Sequence, residues 1–277
     1  MSTSQSRSGY ANIGSAQIYY ETAGAGTPFV MIHAGVADRR QWNNEFAYFA
    51  QYYRVVRYDM RGYGKSEPVE GEFSHMGDLV SLLDTLELHE PLILMGCSMG
   101  GGLAMDFALA YPSRVKALIM VGSGPSGLEL DVERPSKFAE VEKAFDAGDL
   151  DLTAEIETQI WFDGTGRTPE QVDQTMRKLL YEMNHIALSH EVKQLGKRLP
   201  NTQAPAFDRL PALEMPVLIV VGVHDTPYIL AAADYMAAKI GSSRVVRIDD
   251  AAHVPNMDHP DEFRAALEDF LGSLAGE

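Results

Sequence analysis

Leu92-Ile93-Leu94-Met95-Gly96-Cys97-Ser98-Met99-Gly100-Gly101-Gly102 is the stretch on which the reading of this chain turns. An apolar run feeds a Gly-x-Ser-x-Gly pentapeptide, and beyond it Leu103, Phe107 and Ala110 recur at helical spacing until Pro112. The segment therefore predicts a strand, a sharp turn and a helix, with Ser98 in the turn. Hydrogen atoms in place of side chains at Gly96 and Gly100 let the backbone fold tightly enough to push Ser98 Oγ outward. A serine presented in this way is a candidate nucleophile. The pentapeptide alone is a weak signal; the strand before it and the helix after it give it weight.

Outward from this turn, strand patterns occur at 16–23, 29–32, 53–58, 115–121, 217–221 and 244–248, and helical periodicity at 39–50, 76–86, 99–110, 228–240 and 261–274. Alternation of this kind predicts an α/β fold: a mostly parallel, doubly wound sheet with right-handed crossovers and ligands at the carboxyl ends of the strands. The alternation breaks between about 128 and 213. That segment reads as helical at 132–147, 152–162 and 169–195, without a convincing strand, and Pro200, Pro205, Pro211 and Pro216 mark the return. The expected organisation is a core of residues 1–127 and 212–277 with a helical cap, 128–211, inserted over the site. A packing layer with no part in recognition is the alternative.

The bulk composition narrows the partners. The 277 residues carry 23 Lys and Arg against 39 Asp and Glu, a formal charge of -16. This balance opposes electrostatic binding to nucleic acid or to an anionic membrane surface. The polar start Met1-Ser2-Thr3-Ser4-Gln5-Ser6-Arg7-Ser8 has no apolar run behind it, and no later stretch approaches a membrane span. One cysteine, Cys97, excludes an internal disulfide and fits a reducing compartment. The expectation is a cytoplasmic protein, monomer or homodimer, acting on a small molecule.

A serine hydroxyl at neutral pH needs a histidine to take its proton and a carboxylate to fix the histidine's tautomer. The apolar strand Val217-Leu218-Ile219-Val220-Val221 runs into Gly222-Val223-His224-Asp225, which puts Asp225 at a carboxyl edge. The strand at 244–248 is followed by Asp249-Asp250-Ala251-Ala252-His253, which puts His253 in the next loop along that edge. His224 neighbours Asp225 and points the opposite way on an extended segment. Cys97, one residue before the apex, is expected to face the core. Asp249, Asp250 and His253 lack a second histidine cluster, so no metal site is expected.

The order Ser98, Asp225, His253, each just after a strand, resembles the α/β-hydrolase superfamily. Asp59-Met60-Arg61-Gly62-Tyr63-Gly64-Lys65-Ser66 looks like its Asp-x-Arg-Gly-x-Gly-x-Ser loop, and Met31-Ile32-His33-Ala34-Gly35 stands in the place of its His-Gly loop. Ala34 departs from the family, which mostly has glycine there. The likeness covers nearly the whole chain and implies an oxyanion hole built from the Met99 and Gly35 N–H groups, His33 behind that loop, and Asp59 and Arg61 as braces. A serine nucleophile sets aside haloalkane dehalogenases and epoxide hydrolases, which use a carboxylate. The chain looks most like carboxylesterases and 3-oxoadipate enol-lactonases, which implies cofactor-free cleavage of a small carboxylic ester or lactone through an acyl-enzyme. Hydrolases of carbon–carbon bonds and cofactor-free perhydrolases share the same three residues. A ligand receptor without turnover is the alternative of another class. Trp42, which follows the His33 loop, and Trp161, which sits in the cap, are candidates for lining the substrate pocket, and Trp161 equally for anchoring the cap.

Overall fold

The computed structural model describes residues 6–201 and 204–274, and the first five residues of the polar N-terminal stretch lie outside them. Among the described residues ten strands occur in chain order: β1 (Arg7–Ile13), β2 (Ala16–Ala23), β3 (Pro28–Ile32), β4 (Arg54–Tyr58), β5 (Glu72–Phe73), β6 (Leu92–Cys97), β7 (Val115–Val121), β8 (Lys197–Arg198), β9 (Val217–Gly222) and β10 (Ser243–Ile248). The α-helices are α1 (Asn43–Phe49), α2 (His75–Thr85), α3 (Met99–Ala110), α4 (Lys137–Asp146), α5 (Leu150–Thr158), α6 (Gln174–Glu191), α7 (Pro227–Lys239), α8 (Pro255–Asp258) and α9 (Pro260–Ser273).

Eight strands form one sheet in the order β1-β2-β4-β3-β6-β7-β9-β10, antiparallel at β1–β2 and β2–β4 and parallel elsewhere. The alternation of side chains along each strand explains why the sheet is covered on both faces. Val30, Ile32, Leu94, Leu118 and Met120 join one buried cluster with Leu79 of α2, Phe107 of α3 and Met236 of α7. Phe29, Met31, Met95, Ile119 and Val220 join another with Phe46 of α1 and Phe263 and Leu267 of α9.

From β3 the chain passes through α1 to β4 on one side, then crosses back through α2 to β6 on the other. Loops leaving β3 and β6 therefore diverge, and a crevice opens at their carboxyl ends. The Gly35 loop and the Ser98 turn meet there.

Between β7 and β9 the chain inserts α4, α5 and α6. The expected helix at 169–195 is a 3₁₀ turn, Pro169–Gln171, followed by α6. Asp173 separates them by accepting the Thr175 and Met176 N–H groups, each at 2.8 Å, which starts a new helix. The helix expected at 152–162 is α5 and then a π-helical turn, Gln159–Asp163. Three strands, β1, β5 and β8, had no alternating pattern to announce them. β1 borrows its order from β2, and the two-residue β8 pairs with β5 in a region read as strand-free.

Candidate active site

Ser98 stands at φ 52°, ψ −116°, between the end of β6 and the first residue of α3. Non-glycine residues are rarely held there, and the neighbouring glycines are what make the turn possible. A Cβ on Gly96 would lie 2.2 Å from the Gly100 carbonyl oxygen, and one on Gly100 would lie 2.4 Å from that of His33. Strand, helix and His33 loop thus cross at van der Waals contact only because these positions carry no side chain. Cys97 is fully buried, and burial pushes its thiol up to about 12, which leaves it an inert core residue.

The structure brings Asp225 and His253 together. Both are 1% exposed, and His253 Nδ1 lies 2.8 Å from Asp225 Oδ2. With Nδ1–H donated to the carboxylate, Nε2 keeps its lone pair. The other Asp225 oxygen accepts the Thr226 N–H at 2.6 Å. Ser98 and His253 line the same cavity of about 430 Å³, whose other walls are mostly apolar: Leu130, Val132, Phe138, Trp161, Tyr228 and Ile229. His224 takes no part in this pairing, since its Nδ1 donates to the Thr165 carbonyl at 2.7 Å.

The peptide joining Ala34 to Gly35 is fixed from behind. Burial lowers His33 to about 4, so the ring is neutral. Its Nε2 accepts the Met60 N–H at 2.9 Å, so Nδ1 carries the proton and donates to the Ala34 carbonyl at 2.8 Å. The Ala37 N–H reaches the same oxygen at 3.1 Å. In a trans peptide the N–H points opposite to the C=O, so the Gly35 N–H is turned away from His33. Gly35 and Met99 both line a second cavity of about 510 Å³. This cavity is charged, with Arg61, Glu157, Glu191 and Arg198 on its walls. Arg61 is paired with Asp78 at 2.6 Å, whereas Arg198 has no carboxylate partner among the described residues.

Asp59 braces the loop between these features. Burial pushes its carboxyl up to about 6, while Arg39 at 2.9 Å and the Lys65 N–H at 2.8 Å favour the ionised form. Gly64 has no side chain because a Cβ there would lie 2.5 Å from that carboxylate.

The two tryptophans part company. Trp42 has no solvent exposure and packs 6.4 Å from the Phe263 ring inside the core, so the expectation of a pocket-lining Trp42 is corrected: α9 covers it. Trp161 lines the apolar cavity, and its ring lies 4.3 Å from that of His253 at 42°. Its carbonyl also accepts the His253 N–H at 3.2 Å. The π-helical turn is therefore wrapped against the histidine loop. Arg167 extends the wrap by donating to the Phe162 carbonyl and to Asp258, both at 2.7 Å.

Gly122 escaped sequence reasoning. At φ 50°, just after β7, a Cβ would lie 2.6 Å from the His253 carbonyl and 3.4 Å from Asp225 Oδ2. Its signal was a glycine directly after a strand on the carboxyl edge. No group of three or more His, Cys, Asp or Glu among the described residues is arranged to hold a metal ion.

A family model described as the alpha/beta hydrolase fold matches residues 27–260. The pimeloyl-[acyl-carrier protein] methyl ester esterase of Aeromonas hydrophila is 29% identical over 255 residues, 91% of this chain and 98% of its own. A 2-hydroxy-6-oxononadienedioate/2-hydroxy-6-oxononatrienedioate hydrolase of Paraburkholderia xenovorans is 27% identical over 268 residues, 93% of this chain and 91% of its own. Among solved structures, a bromoperoxidase from Bacillus anthracis matches with a TM-score of 0.77 and 27% identity, covering 96% of this chain and 100% of that one.

Proposed function

The chain belongs to the alpha/beta hydrolase fold family, and from that premise we propose that it is a serine hydrolase cleaving a small carboxylic ester or lactone through an acyl-enzyme. In this reading Ser98 Oγ attacks the carbonyl carbon as His253 Nε2 takes its proton, and the Asp225 carboxylate stabilises the imidazolium. The Gly35 and Met99 N–H groups receive the negative oxygen, aided by the N-terminal end of α3. His253 then gives its proton to the leaving oxygen, and the alcohol departs. Water repeats the attack with His253 as base, releasing the acid and restoring Ser98. No step calls for a cofactor.

The observation that carries this reading is the 2.8 Å bond from His253 to Asp225, with His253 and Ser98 on the wall of one cavity. In this reading the two cavities take the two portions of the substrate. The leaving oxygen must lie within reach of His253, so the alcohol portion extends into the apolar cavity. The acyl portion passes Gly35 and Met99 into the charged one. Residues 128–211 act as the cap that shapes both. No helix among the described residues is long and apolar enough to cross a membrane.

Turnover of p-nitrophenyl acetate is expected to fall at least 10³-fold in Ser98→Ala, and labelling of the wild type by a fluorophosphonate to vanish with it. A variant that still turns over the ester removes Ser98 from the mechanism. Likeness to the Paraburkholderia hydrolase favours a second reading, cleavage of a carbon–carbon bond beside a ketone by the same residues. A panel of esters, lactones and β-diketones separates the two, since a carbon–carbon hydrolase consumes the diketone faster than the ester.

A further inference from the structure

Behind the Gly35 loop lies a buried polar lattice that no step above uses. Gln41, 2% exposed, sits in the 3₁₀ turn leading into α1. Its Oε1 accepts the Ala34 N–H at 2.9 Å, and its Nε2 donates to Asn256 Oδ1 at 3.3 Å. Asn256, 1% exposed, returns two bonds through Nδ2: to the Gln41 carbonyl at 2.7 Å and to Glu45 Oε2 at 3.2 Å. Asn256 belongs to α8, which begins directly after the loop that carries His253. One end of the lattice therefore grips the residue before Gly35, and the other grips the loop of the histidine.

The chemistry of the loop explains what such a grip would do. Ala34 and Gly35 present successive N–H groups, and only one of them can be aimed at a substrate oxygen while the backbone keeps its path. Gln41 Oε1 takes the Ala34 N–H, and His33 holds the carbonyl between the two residues. The Gly35 N–H is the donor left over. Ala34, where the wider family mostly has glycine, has no exposure, so its N–H cannot turn to water instead. Without an acceptor at 41, a buried donor is stranded, and the loop must rotate to satisfy it.

We propose that Gln41 and Asn256 are positioning residues for acyl transfer: together they hold the Gly35 N–H and the His253 loop in one fixed relation, so that oxyanion donor and proton acceptor address the same carbonyl group. The proposal rests on the roles given to Gly35 and His253 above. It differs from a purely structural role in what it changes. A loosened oxyanion donor weakens binding of the tetrahedral state more than binding of ground-state molecules.

Gln41→Met keeps the side-chain volume and removes the acceptor. Its kcat for p-nitrophenyl acetate is expected to fall at least tenfold with KM within threefold, and its affinity for phenylboronic acid, whose tetrahedral adduct on Ser98 occupies the same donors, to fall by a similar factor. Affinity for a non-reacting alcohol should stay within twofold. Gln41→Glu, which restores an acceptor for the Ala34 N–H, should recover much of the loss. If Gln41→Met does not fold, Asn256→Ala is measured in its place, with the same two losses expected. A folded variant with kcat and boronate affinity within twofold of wild type overturns the proposal, as does equal weakening of boronate and alcohol binding. Failure of the underlying reading is distinguishable: Ser98→Ala would then retain turnover, whatever Gln41→Met does.

Discussion

Ser98 occupies a backbone conformation that costs about 1–3 kcal/mol, in a turn that closes only because Gly96 and Gly100 on either side of it carry no side chain. The motif was legible because such a turn demands glycine at two fixed offsets. Gly122 was not, since a lone glycine after a strand carries no offset to check, and its purpose is set by His253, far along the chain. Glu45 was equally silent. It is buried at 2% exposure, and burial pushes its carboxyl from 4.5 up to about 7 against the lowering effect of Asn256, Arg264 and Arg57. A raised acid binds its proton more tightly folded than unfolded. Its contribution to stability is therefore full below about pH 4.5 and declines as pH rises toward 7. Glu45→Gln, which never ionises, should gain on the wild type by up to about 3 kcal/mol across that window. Urea unfolding at several pH values measures this, and a difference that stays constant with pH contradicts it.

At the scale of elements, the crossing of β6, α3 and the His33 loop is a joint with no room for a side chain. Gly100→Ala would put a methyl group 2.4 Å from the His33 carbonyl and 2.6 Å from that of Ile32, both backbone atoms of a central strand and its loop. The variant is expected to lose about 3 kcal/mol or more, read as a lower midpoint in denaturant, and to lose esterase activity even where folded, because the Gly35 loop must shift. A variant with wild-type stability would show that the crossing is looser than these distances. The strands and helices here were readable as continuous apolar runs bounded by glycine and proline, since β6 and β7 are buried on both faces and α3 is apolar nearly all round. The π-helical turn Gln159–Asp163 was not readable. Its irregularity comes from packing Trp161 against His253, and local propensity does not encode a partner so distant in sequence.

For the molecule as a whole, the apolar cavity is made by two layers at once: Leu130, Val132, Phe138 and Trp161 from the inserted segment, Ser98, Tyr228, Ile229 and His253 from the sheet edge. Val132→Trp should narrow it and lower kcat/KM about tenfold more for an ester with a bulky alcohol than for the methyl ester of the same acid. Equal effects on both would reverse the assignment of the two cavities. The sequence by itself determined the order of the seven strands β2, β3, β4, β6, β7, β9 and β10 and of the helices between them, the glycine-flanked serine, and the placement of Asp225 and His253 after strands, because each depends on neighbours within a few residues. Tertiary structure alone decided that Trp42 belongs to the core and Trp161 to the cavity, that Gly122 makes room for the carboxylate–imidazole pair, and that Gln41 meets Asn256. Those outcomes depend on which side chains arrive from about 90 or more positions away, and burial, hydrogen bonding and excluded volume act on proximity in space, which periodicity along a chain does not record.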